Sequence, residues 1–258
     1  MDAPRPPTFL ATLSIVGRGY LPRLLQARGW VVCGLALLPV LLVLGASQLL
    51  RGGGADRAGL YTFHVILAMG VVPILALVAA PAGLPEDLEQ RTLPLLLARP
   101  CPARALPLAR GLPWFLGGGL WLALAGLGLG FLGQEGLLAK AAALVAAFWA
   151  ELAFVTLLVM VFRRGIVWSA LVLLVWDPLV QFMPGNLQRA TFIHYVQSIS
   201  GSRGSGVGAS DILAQEQIAT PLGLAILALV LFGALCWALC GWRLQSTPVG
   251  LAGPESEG

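Results

Sequence analysis

Charge is scarce in this chain, and lysine is scarcer still. Acidic and basic residues make up 11% of 258 residues, and Lys140 is the single lysine. Water-soluble chains carry about a quarter charged residues. A soluble fold of this length could not hide 58% hydrophobic residues in one core. A phosphate-binding loop needs Gly-Lys-Ser/Thr, and Lys140 stands between Ala139 and Ala141. The chain has no such loop, so any ATP hydrolysis linked to it belongs to another polypeptide. Metal and catalytic signatures are missing too: the sequence holds no His-Glu-x-x-His, no G-x-S-x-G and no paired histidines. His64 and His194 stand apart from any companion ligand and read as interfacial polar residues.

Four cysteines are too few and too badly placed for a disulfide framework. Cys33, Cys236 and Cys240 lie in apolar runs, and Cys101 lies in a basic connector. Cys236 and Cys240 are four apart, on one helix face, and read as small hydrophobes rather than ligands. No cleavable signal peptide is expected, because the first apolar run begins near Trp30 and no small-residue cleavage site follows it.

What the sequence has in plenty is long apolar stretches, with mean hydropathy +0.85. A helix needs about 20 apolar residues to cross the hydrocarbon of a bilayer. Six stretches qualify: 30–50, 60–80, 112–132, 141–162, 165–182 and 222–242. The expected fold is an all-α integral membrane protein of six spans. Pro39 and Pro73 should kink the first two. The third carries Gly117, Gly118, Gly119, Gly126, Gly128 and Gly130, small residues that permit close packing along one face.

Orientation follows from the basic residues. Eleven of them, among them Arg23, Arg91, Arg104, Arg163 and Arg243, fall on one side of the alternating topology. The other five are Arg51, Arg57, Lys140, Arg189 and Arg203. The richer side faces the cytoplasm, which places both termini inside. The net charge of +4 then reflects connectors near anionic lipid rather than a nucleic-acid surface.

The segment 1–29 precedes the spans. Within it Leu13, Val16, Tyr20, Leu24 and Ala27 recur at helical steps, as in an amphipathic helix on the inner leaflet. The last cytoplasmic piece is the tail 243–258. On the outside, Phe192, Tyr195, Val196 and Ile199 share a helical face. A linker-like run from Gly201 to Ser210 follows, and then a second short helix from Asp211 to Thr220 capped by Ser210. Short outer helices are therefore expected before the last span.

Two carboxylates interrupt the spans. Glu151 lies near mid-depth in the fourth, and Asp177 precedes Pro178 in the outer half of the fifth. An ionisable group in hydrocarbon costs a few kcal/mol or more, so it faces protein or water. Each is a candidate for a polar path or gate, or else bonds a neighbouring helix.

The inner connector 84–110 is the strongest local signal. It runs LPEDLEQRTLPLLLARPCPARALPLAR, an acidic start followed by an apolar stripe and an arginine-proline finish. Here the chain resembles the ABC-2-type export permeases, in which an acidic pair after the second span leads into Gly-Thr-Leu, a few leucines, an Arg-x-Pro-like step and a further arginine. Asp87, Glu89, Thr92, Leu93, Leu95, Leu96, Leu97, Arg99, Pro100 and Arg104 match that pattern, and Arg91 replaces the usual glycine. The resemblance implies a permease of a bacterial-type inner membrane, with no catalytic, metal or cofactor site of its own. ATP and Mg would be bound by a separate ATP-binding cassette subunit. The resemblance also implies a dimer with a second copy or a related permease, the first and fifth spans at its interface. Coupling to the ATPase falls to Asp87, Glu89, Thr92, Leu93, Leu96, Leu97, Arg99 and Arg104. A haem-exporter-like B subunit shares the layout. A secondary transporter, a channel or a non-transporting assembly subunit remain the other classes.

Overall fold

The computed structural model describes residues 64–82, 103–133, 136–180, 185–200 and 220–246. Among them the chain is helical, with no strand. We number the helices α1 (His64–Ala79), α2 (Leu106–Gly133), α3 (Leu137–Val161), α4 (Gly165–Val180), α5 (Phe192–Ser200) and α6 (Leu222–Ser246). Among the described residues, α2, α3 and α6 are long and apolar enough to cross a membrane, while α1 and α4 are shorter apolar helices. The expected first span, the N-terminal amphipathic helix and the outer segment 201–219 lie outside the described residues.

Helix α3 is central among the described helices and touches each of the others. Its composition explains that position. Ala143, Ala147, Ala150 and Ala153 are fully buried, and small side chains let neighbouring backbones come close. Between them Leu144, Phe148, Leu152 and Val155 fill the space. At Gly126 of α2 a Cβ would lie 2.5 Å from Ala141 Cα, so glycine sets how closely α2 meets α3. Leu116, Leu120 and Leu124 on the opposite side of α2 are exposed. Helix α6 is divided in the same way: Ala225, Leu229, Gly233, Cys236 and Cys240 are buried, while Leu224, Leu227, Leu231 and Leu235 are exposed.

Two helices carry π-helical turns, and the same cause applies to both. The turn Leu67–Val71 precedes Pro73, and the turn Leu171–Trp176 precedes Pro178. A proline lacks the N–H of the helical ladder, and its ring presses on the carbonyl four residues back. Those carbonyls, of Met69 and Leu174, fall inside the widened turns.

Helix α2 begins at Leu106, six residues before the expected start of the third span, and a 3-10 turn Ala103–Ala105 leads into it. The end of the inner connector is thus helical. Pro107 stands in the first turn, where a missing N–H costs nothing, and Arg110 is buried rather than solvated. The 3-10 turn packs on the end of α6, where Arg104 Nε donates to Gln245 Oε1 at 2.6 Å. Helix α6 continues to Ser246, past the expected end of the last span.

Candidate functional site

The described part of helix α4 is shorter than a full span. Its 16 residues reach about 24 Å at 1.5 Å per residue, against a hydrocarbon thickness of about 30 Å. It leaves α3 by a tight turn through Arg163 and Arg164. Gly165 lies so close to Leu158 and Val159 that a Cβ there would overlap their backbone. From that fixed point Asp177 stands about 18 Å along the bundle, level with the middle of α3.

At that level the chain breaks and resumes. Asp177 is buried, and its carboxylate accepts N–H bonds from Phe192 to Oδ1 at 2.9 Å and from Ile193 to Oδ2 at 3.3 Å. The first turn of a helix leaves its N–H groups unpaired and carries partial positive charge, so a carboxylate suits it. Thr191 adds a weaker cap, its Oγ1 accepting from His194 N at 3.4 Å. Helix α5 then runs back along α3 until Ser200 O lies beside Gly136, just before α3 begins. Asp177 thus ties the last turn of α4 to the first turn of α5.

Helix α5 is consequently a buried element, where the sequence had it as an outer amphipathic piece. Ile193, His194, Val196, Gln197, Ile199 and Ser200 are all buried, and α5 packs on α3 and α6. His194 is not an isolated interfacial residue: its Nε2 is 3.0 Å from Thr220 Oγ1. His64 is also buried, and neither ring nitrogen has a hydrogen-bond partner among the described residues.

The break leaves a cavity of about 340 Å³ between α4, α5 and α6. Its walls include Trp176, Phe192, Tyr195 and Phe232, and its charged residues are Asp177 and Arg189. Phe192 stacks edge-on with Phe232 at 5.4 Å and lies 5.9 Å from Phe154, so the aromatic wall is one packed unit. Arg189, on the 3-10 turn Gly185–Ala190, is exposed and makes no ion pair among the described residues.

Glu151 is on α3, within electrostatic reach of Asp177. It is 1% exposed, and its Oε2 has no hydrogen-bond partner among the described residues. It does not line the cavity. The two carboxylates are therefore in different states, one bonded and one with an unsatisfied oxygen. Of the coupling residues only Arg104 is described. Asp87, Glu89, Thr92, Leu93, Leu96, Leu97 and Arg99 lie outside the described residues.

In the sequence Arg189 counts only as a basic residue of the outer side and Phe192 and Tyr195 only as part of a helical face, while Trp176 and Phe232 carry no signal of their own. The signal available for the site was the shortness of the fifth apolar run, followed by Asp-Pro and then by Thr191 at the head of an amphipathic stretch. No group of three or more metal-ligating side chains occurs among the described residues, Cys236 and Cys240 included. No family model matches this chain, and no curated protein matches it.

Proposed function

We propose that this chain is the membrane-spanning permease subunit of an ATP-driven exporter. It crosses a bacterial-type inner membrane six times with both ends in the cytoplasm. The observation that supports transport is the break between α4 and α5, with its cavity at mid-height; the assignment to an ATP-driven exporter rests on the acidic-leucine connector. In a bilayer, irregular backbone at that depth is tolerated only where protein buries it or it lines a cavity, and transport sites are commonly built at such breaks. The leucine stripes on α2 and α6 support a lipid surround, since a soluble monomer rarely exposes contiguous apolar faces of that size.

The source of energy in this reading is a separate ATP-binding cassette subunit. The acidic-leucine connector supports that assignment through Asp87, Glu89, Thr92, Leu93, Leu96, Leu97 and Arg99, with Arg104 at its end. Leucines in such a segment supply apolar anchors, and the two acids suit basic residues of a partner. Arg104 also holds the connector's end to the last helix through Gln245, which gives movement of the connector a route into α6. A second permease chain completes the unit. Glu151 and Asp177 are its path or gate.

The test is a double charge reversal. Asp87→Lys with Glu89→Lys should release the co-purifying ATPase, or uncouple hydrolysis from transport, with the chain still in the membrane. Normal co-purification with normal coupling in that variant would remove the connector from the mechanism. Topology is checked separately: single cysteines at Gly53 and Ser205 should react with an impermeant reagent from outside intact cells, and one at Ala103 should not.

A secondary transporter is the second reading, favoured by the break between α4 and α5 and by the two buried carboxylates. Vesicles separate the two. Transport that needs ATP and survives a protonophore supports the exporter, and transport that collapses with the ion gradient supports the alternative.

A further inference from the structure

The cavity at the break has a shape and a charge that select a ligand. Its volume of about 340 Å³ lies at the small end of ligand pockets, which run from about 300 to 1,000 Å³. A pocket at that end of the range suits one apolar chain better than the body of a large ligand. The aromatic wall of Trp176, Phe192 and Phe232 suits an apolar chain, and Tyr195 brings a hydroxyl. Trp176 and Phe232 are themselves partly exposed on the outside of the bundle, at 45% and 38%. The mouth therefore opens sideways between α4 and α6, toward the apolar surround.

The two charged groups of the lining are not equivalent. Both oxygens of Asp177 are taken by backbone N–H groups of α5, so its charge is already answered by a helix N-terminus. Arg189 has no ion pair among the described residues, and a guanidinium offers a planar fork of donors to phosphate, sulfate or carboxylate. The uncommitted charge at the cavity is positive.

We propose that the cavity between α4, α5 and α6 binds a single-chain anionic amphiphile, its chain against Trp176, Phe192 and Phe232 and its head group on Arg189. As a ligand site this stands apart from coupling to an ATPase. As the place where cargo sits it rests on the permease reading, and it then names the cargo class: amphiphiles gathered sideways from the membrane.

The test uses the full chain in phosphatidylcholine nanodiscs with no ATPase present. The probes are dodecyl phosphate and dodecyltrimethylammonium, each with a diazirine at the chain end. The phosphate probe should label saturably, on peptides containing Trp176, Phe192 or Phe232. Arg189→Gln should raise its half-saturating concentration about tenfold and leave the cationic probe unmoved. Ala228→Trp, which fills the cavity from α6, should cut saturable labelling at least fivefold with an unchanged melting temperature. Three outcomes would overturn the inference: equal or better labelling by the cationic probe, labelling spread over the Leu231 and Leu235 face and indifferent to Ala228→Trp, or no effect of Arg189→Gln. The last would mean that the arginine reaches past the cavity to the interface. Mass spectrometry of the chain extracted from its own membrane separates the two sources of such a ligand. A bound lysophospholipid marks a membrane lipid, and an empty site that accepts the probe marks a delivered cargo. A negative binding result removes this site and leaves the ATPase test above untouched.

Discussion

Helices α3 and α4 are joined by a tight turn and lie side by side, yet only α3 is a full span among the described residues. Helix α3 is rich in alanine and leucine, has no proline, and pairs its interior backbone groups four residues apart. Helix α4 widens into a π-helical turn at Leu171–Trp176, and Pro178 follows thirteen residues after its start. The first N–H groups of the next helix, α5, are held by Asp177. One helix is closed by its own backbone and the other by a side chain. The second arrangement leaves a cavity, which a continuous helix does not offer.

The largest expected effect comes from removing that side chain. Asp177→Ala leaves two N–H groups of α5 unpaired in a buried position, and each such donor costs about 1–3 kcal/mol. We expect a loss of about 2–4 kcal/mol and weakened hydrogen-exchange protection confined to α5. Asp177→Asn keeps one acceptor oxygen and should lose less. Uniform loss of protection over α3 and α5 alike would mean that the two helices unfold as one, and the contrast between them would fail.

The continuous span should be broken by volume, not by charge. Gly126→Val places atoms against the backbone of Ala141, where no side-chain rotation can relieve the overlap. Overpacking of this kind costs about 1–3 kcal/mol. The melting temperature should fall while protection of the α5 amides relative to α6 stays unchanged. Selective loss at α5 would place the weakness of the fold in the wrong helix.

Much of this was readable in advance, and the reason for the rest is physical. Apolar length alone locates α2, α3 and α6, because a spanning helix must be about 20 apolar residues whatever it packs on. The start of α2 was placed six residues late since Arg104 and Arg110 look like loop residues; one is answered by Gln245 and the other is buried. The periodicity of 192–200 marks a helix but not its surroundings. Phe192, Tyr195, Val196 and Ile199 share a face, whereas the structure also buries His194, Gln197 and Ser200 on the other sides. Burial of those polar residues depends on partners such as Thr220. The pairing of Asp177 with Phe192 and the aromatic wall assembled from α3, α4, α5 and α6 are tertiary facts, with no spacing in the sequence to announce them.

A finer comparison sets the two caps of α5 against each other. Thr191 Oγ1 accepts from His194 N at 3.4 Å, a long bond beside the charged pair made by Asp177. Thr191→Ala should cost about 0.5–1 kcal/mol. In a double-mutant cycle with Asp177→Asn the two losses should not add, because both caps hold the same first turn. Additive losses would show that the caps act independently.

The smallest effect on stability is expected at Glu151, and it is the most informative. Glu151 and Asp177 are both buried, so burial alone cannot explain why one is bonded and the other retains an unsatisfied oxygen. A buried carboxylate of purely structural use normally has its oxygens filled, since an unpaired buried polar group costs free energy with nothing in return. Glu151→Gln keeps the shape and removes the charge. We expect a stability change within about 1 kcal/mol, because the substitution relieves as much desolvation as it forfeits hydrogen bonding. Assembly with the ATPase should be intact, and coupled transport should fall at least tenfold. The opposite pattern, a clear drop in melting temperature with activity per folded molecule retained, would make Glu151 a structural acid. The path through this bundle would then have to be sought along the cavity between α4, α5 and α6 alone.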